Sequence, residues 1–129
     1  MSIDALNKRV TEAILRAEAL EVKGPSIEVS RAYLDVSFCE EEIAAHLPVS
    51  DEEGAIARRG AVRAALTAGQ PTRAKDLADR YAAEGDAPSD LVKELERMAA
   101  QAEAAPGLRA VQEVLVVSAA RYRFHHVAA

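Results

Sequence analysis

Apolar residues return at intervals of three and four along most of this chain, and short Gly-, Pro-, Ser- and Asp-rich breaks cut that rhythm into segments. In the first segment Ile3, Leu6, Val10, Ile14, Ala17 and Leu20 keep this spacing, which puts them on one face of an amphipathic helix. Ser2 or Asp4 is its predicted cap, since a short side-chain oxygen can accept from the open N–H groups of the first turn. Lys23-Gly24-Pro25 is its predicted stop. A second helix is expected from Ser26 to about Leu47, with Val29, Tyr33, Val36, Ile43 and Leu47 on one stripe and Ile27, Leu34 and Phe38 beside it. So broad an apolar face suits a helix with two neighbours.

Pro48 ends that segment, and Ser50-Asp-Glu-Glu53 fits a capping box in which Ser50 covers a backbone N–H and Glu53 reaches back. The third helix carries Ile56, Val62 and Leu66 inward beside a ridge of Ala57, Ala61, Ala64 and Ala68, and Gly69 is its stop. Pro71 opens a fourth helix that buries Ala74, Leu77, Ala78 and Tyr81, with Lys75–Asp79, Asp76–Arg80 and Arg80–Glu84 as four-residue ion pairs on its outer side. Ser89 or Asp90 caps a fifth, with Leu91, Leu95, Met98 and Ala102 inward. After Ala105-Pro-Gly107 the spacing of Leu108, Val111, Leu115, Ala119 and Tyr122 predicts a sixth. Val114–Val117 also reads as a short buried strand, but no second strand-like run is there to pair with it.

Composition agrees with helices. Half of the 129 residues are hydrophobic, aromatics are only 4%, and alanine, the best helix former, dominates the apolar share. The fold class expected is therefore all-α: one domain over 1–129, a compact bundle of about five to six helices with a helical hairpin at about 51–84. Within that hairpin Gly69, Ala74, Ala78 and Tyr81 sit at the positions where small and aromatic residues pack in a tetratricopeptide repeat, and the stretch 55–88 resembles one such repeat. Arg58 and Val62 depart from that pattern in its first helix, and Asp86 stands where a proline is usual, with Pro88 two residues later. The resemblance implies a groove that binds peptide or a partner helix.

A net charge of −5 disfavours bulk attraction to nucleic acid or to an anionic membrane. Cys39 is the single cysteine, so no intramolecular disulfide can form and a reducing cytoplasm is the expected compartment. No signal-like segment and no run of membrane-spanning length is present in the sequence.

Three clusters offer candidate chemistry. Cys39-Glu-Glu-Glu42 with His46 gathers possible ligands, but the Glu-x-x-His pairs of di-iron bundles are missing; solvated helix surface is expected there, with Cys39 a small buried hydrophobe. Arg58, Arg59, Arg63 and Arg73 form either a basic strip for a phosphate or acidic partner, or ion pairs with Asp51, Glu52, Glu53 and Asp76. The terminal Arg121-Tyr-Arg-Phe-His-His126 has the composition that stacks and neutralises single-stranded nucleic acid, or else seals the bundle with Tyr122 and Phe124. No phosphate loop, Cys-x-x-Cys or nucleophile motif occurs, so no catalytic residue, cofactor or metal is expected.

The reading is a non-enzymatic protein–protein interaction module: an adaptor, a regulatory subunit or an immunity-type inhibitor that meets a basic partner through the Glu40–Glu53 region. Candidate partner-binding residues are Glu40, Glu41, Glu42, Arg59, Arg63, Arg73, Arg121 and Arg123. A homodimer through alanine-rich helices and Val114–Val117 is also expected. The alternatives are a nucleic-acid or nucleotide binder using the arginines, and a metal-dependent bundle enzyme using Glu42 and His46.

Overall fold

A computed structural model of the chain describes residues 2–105, which form α1 (Ile3–Glu21), α2 (Ile27–His46), α3 (Glu52–Thr67), α4 (Pro71–Ala82) and α5 (Ser89–Glu103). The all-α expectation holds, with no strand among the described residues. The expected sixth helix or strand at 108–122 lies outside them.

Local chemistry explains most helix ends. Ser2 Oγ accepts from the Ala5 N–H at 3.1 Å and Ser26 Oγ from the Val29 N–H at 3.2 Å, each satisfying a first-turn donor that has no partner within the helix. Between α3 and α4, Gly69 takes φ +72°. The N–H of Gly69 donates to the Leu66 carbonyl at 3.0 Å and that of Gln70 to Ala65 at 2.9 Å, the double closure of a Schellman turn, which needs the left-handed conformation glycine adopts freely. Pro71 then occupies the first turn of α4, where a missing N–H costs nothing.

Three expected details differ. Asp51, not Ser50, caps α3, its Oδ1 accepting from the Glu53 N–H at 3.3 Å. The Asp51 N–H is turned back onto the Pro48 carbonyl at 3.1 Å, so the helix starts one residue later than the capping-box pattern places it. Neither Ser89 nor Asp90 caps α5; both lie inside its first turn, and the Pro88 carbonyl accepts the first helical bond from Val92 at 3.0 Å. The Arg80–Glu84 pair does not form, because α4 ends at Ala82 and residue 84 has left the helical face. Arg80 instead reaches Glu41, and Glu84 reaches Arg58.

The five helices pack in sequence, α1 on α2, α2 on α3, α3 on α4 and α4 on α5, and α5 also returns to α3. α3 is thus the central element. Ala57, Ala61, Ala64 and Ala65 are all buried on it, and side chains this small let it lie close to α2 on one side and to α4 and α5 on the other. Leu6, Val62, Leu77, Leu91 and Leu95 fill the fully buried positions. Burying the alanine ridge of α3 turns Ile56 out, to 55% exposure, which corrects the inward position expected for it; on α2, Phe38 and Ile27 are also turned out, at 50% and 67%, where the stripe pattern placed them inward.

The α2–α3 crossing also holds Ser37, fully buried, whose hydroxyl donates to the Ala61 carbonyl at 2.7 Å and accepts from Arg73 Nε at 3.1 Å. Near the start of α3, Gly54 faces the Pro48 carbonyl so closely that an added Cβ would overlap this backbone oxygen and sit 3.0 Å from Arg58 Nη1. Backbone cannot yield as a flexible side chain would. Gly54→Ala is expected to lose about 2 kcal/mol to overpacking and regain about 1 kcal/mol from helix propensity. The net is a destabilisation of about 1 kcal/mol in urea unfolding; a stabilised variant would contradict the tight contact.

Candidate functional site

The arginines do not form an open basic strip. Arg58 is 5% exposed. It donates through Nε and Nη2 to the two Glu84 carboxylate oxygens at 2.8 and 3.1 Å, through Nη1 to the Gly54 carbonyl at 2.9 Å, and through Nη2 also to the Leu47 carbonyl at 3.1 Å. Arg59 and Arg63 share Glu94, at 2.6 and 3.0 Å, with Asp90 a looser partner of Arg59 at 3.7 Å. Arg73 pairs with Glu41 at 2.7 Å and lies 4.1 Å over the Phe38 ring, a cation–π contact that anchors an otherwise half-exposed aromatic. The sequence reading expected internal pairing, but with Asp51, Glu52, Glu53 and Asp76. Most of the partners are instead distant in sequence, Glu41, Glu84 and Glu94, because helix packing rather than chain proximity brings them into reach.

Glu40, Glu41 and Glu42 face three different surroundings. Glu42 meets Arg9 loosely at 3.7 Å in solvent. Glu41 is clamped by Arg73 and Arg80; burial pushes its carboxyl up, but the two arginine hydrogen bonds outweigh this and hold it below the ordinary value. Glu40 has no hydrogen-bond or ion-pair partner among the described residues. Its carboxylate lies against Gly60 of α3, in the space that a Cβ there would fill. Burial alone pushes its pKa from 4.5 up to about 7.

Glu40 sits on the floor of a groove. α1 and α3 are its walls, both packed against α2. One stretch, of about 370 Å³, is lined by Ile14 of α1, by Tyr33, Val36 and Glu40 of α2, and by Ile56, Gly60, Arg63, Ala64 and Thr67 of α3. A second stretch, of about 230 Å³, lies between Asn7 of α1, Ile43 and Leu47 at the end of α2, and Glu53 and Ala57 of α3, again with Glu40 and Ile56 in its lining. Glu40 and Ile56 therefore stand where the two hollows adjoin. Tyr33 is held at one side by donating its hydroxyl to Glu21 at 2.6 Å, a bond that, with burial, pushes its pKa up to about 12.

Sequence reasoning named Glu40, Arg63 and the apolar Ile56 but not the groove that unites them. Asn7, Ile14, Gly60 and Thr67 were not singled out as site residues. One signal was present: Ile56, Gly60, Arg63 and Thr67 recur at helical spacing, a mixed stripe with a mid-helix glycine, which is where a close approach is expected. Arg121 and Arg123 lie outside the described residues.

Cys39 is 1% exposed, and burial, with Asp35 adding to it, pushes its thiol up, which suits a packing role rather than nucleophilic chemistry. Among the described residues no three His, Cys, Asp or Glu side chains are grouped to hold a metal, and no helix is long and apolar enough to cross a membrane. Comparison with protein-family models, with curated protein sequences and with solved structures finds no match to this chain.

Proposed function

We propose that the chain is a protein–protein interaction module that receives its partner in the groove between α1 and α3. The observation that carries this reading is the groove itself: about 370 Å³ of largely apolar space with Ile56 held 55% exposed at its edge. Concave, largely apolar sites with a few polar groups are where partners and ligands bind. The groove lies on α1–α3, outside the α3–α4 hairpin that carries the repeat resemblance, so the reading rests on the groove and not on that resemblance. An adaptor, a regulatory subunit or an inhibitor would all act through such a surface. The nucleic-acid reading loses support within 2–105, since Arg59, Arg63 and Arg73 are each engaged by a carboxylate.

Ile56→Asp tests the proposal. More than half of Ile56 is in water already, so its replacement is expected to cost about 1 kcal/mol, from lost apolar contact and from repulsion by the neighbouring carboxylates, and to leave the fold intact. A protein that co-purifies stoichiometrically with the wild-type chain is expected to be lost from this variant and retained by a control such as Leu15→Asp, altered at an apolar residue of similar exposure that does not line the groove. Equal retention of the partner by both variants would show that the groove is not the binding surface.

A further inference from the structure

The groove has a polarity that its apolar walls conceal, and this bears on what it takes, if the proposed binding role is right. Three charged side chains line it: Glu40, Glu53 and Arg63. Arg63 is engaged by Glu94 at 3.0 Å, while neither Glu40 nor Glu53 has an ion-pair partner among the described residues. The two carboxylates thus leave the groove with an unmatched negative charge in a chain whose net charge is already −5.

We propose that the groove takes an amphipathic helix of a partner protein, and that Glu40 selects a helix presenting a lysine or arginine among its apolar residues. A helix fits better than an extended strand. The walls are helices whose backbone groups are already paired, so a strand would find no edge to join, whereas a helix satisfies its own N–H and C=O groups and needs only a trough for one apolar face. The α3 wall runs from Glu53 to Thr67, about 21 Å at the rise of an α-helix, room for roughly four turns.

The cation follows from desolvation. An occupant seated on Ile56 also covers Glu40, which adjoins it in both hollows. A purely apolar helix would strip the remaining water from an unpaired carboxylate and be penalised for it. A helix bringing a lysine or arginine supplies the missing partner as a charge-assisted hydrogen bond, and an acidic helix is repelled. Glu40 thereby discriminates among amphipathic helices that the walls alone would accept equally.

The test is a selection of random 16-residue helical peptides displayed against the full-length chain at pH 8, with counter-selection on Ile56→Asp. Groove-dependent binders are expected to carry a basic residue with apolar neighbours three and four positions away. Replacing that residue by methionine is expected to weaken binding at least tenfold on the wild type and less than threefold on Glu40→Gln. Binders that lack a basic residue, or that weaken equally on both proteins, would overturn the role of Glu40 and leave the groove as a binding surface. Failure to obtain any Ile56-dependent binder would overturn both readings. Self-association of the chain abolished by Ile56→Asp would identify a second copy as the occupant, against the proposal.

Discussion

Arg58→Met is expected to lower stability by about 3 kcal/mol, seen as a fall in the urea midpoint without a change in slope. The guanidinium is the joint of three connections. It holds the Leu47 carbonyl where α2 ends, the Gly54 carbonyl in the first turns of α3, and the Glu84 carboxylate just beyond α4, and it lies 5.4 Å over the Tyr81 ring. Methionine keeps much of the apolar stem but leaves the Leu47 carbonyl and the Glu84 carboxylate without these donors, while the Gly54 carbonyl keeps its helical bond within α3. Removing one member of a buried pair usually costs about 3–5 kcal/mol. The lower end applies because the Glu84 side chain is 32% exposed and can recover part of its hydration. Arg58→Lys is expected to lose most of the same energy, since one ammonium cannot serve divergent acceptors with a planar fork. Glu84→Gln keeps the two carbonyl bonds and one acceptor but leaves the buried guanidinium without its counter-charge, so a loss of about 2 kcal/mol is expected. If Arg58→Met loses less than Glu84→Gln, the network does not hold these connections together.

Glu40→Gln is expected to stabilise the protein by about 2 kcal/mol at pH 8 and to change little at pH 4.5. In the unfolded chain the carboxyl titrates near 4.5; in the folded protein burial raises this to about 7. Between those values the native state holds a proton that the unfolded state has released, so stability falls as pH rises from about 4.5 through 7 and then levels off. The shift corresponds to at most about 3 kcal/mol, and the carboxylate's residual contact with water reduces it. A neutral amide of the same shape has no charge to desolvate and should lack this component. Glu53 and Arg63 line the groove from α3, Tyr33 from α2, and the uncharged Asn7 from α1; all four are present in both proteins being compared. A difference between the two proteins that stays constant from pH 4.5 to 8 would show that Glu40 is well solvated. If the difference follows the expected course, Glu40 destabilises the folded protein at neutral pH, which is how residues kept for binding behave.

Much of the architecture was legible in local pattern. Helical spacing of apolar residues, the serines at 2 and 26, Gly69 and Pro71 marked four helices within a few residues of where they lie. The start of α3 was harder because Ser50 and Asp51 are both competent cap residues, and a backbone bond from Asp51 to Pro48 decides between them. The site was far less legible. Glu40, Glu41 and Glu42 look alike in sequence, but successive residues on a helix point about 100° apart, so one meets two arginines, one meets solvent and one meets Gly60.

By itself the sequence determined what depends on neighbouring residues: helix content, most helix ends, the α3–α4 turn and the alanine ridge that allows close packing. Tertiary structure alone decided which arginine is buried, which carboxylate each arginine meets, that Ile56 faces out, and that Asn7, Ile14, Glu40 and Gly60 border one groove. The physical reason is range. Capping and periodicity act over three or four residues, whereas the Arg58–Glu84, Arg63–Glu94 and Arg73–Glu41 pairs join residues 26, 31 and 32 positions apart, which only the packing of whole helices brings together.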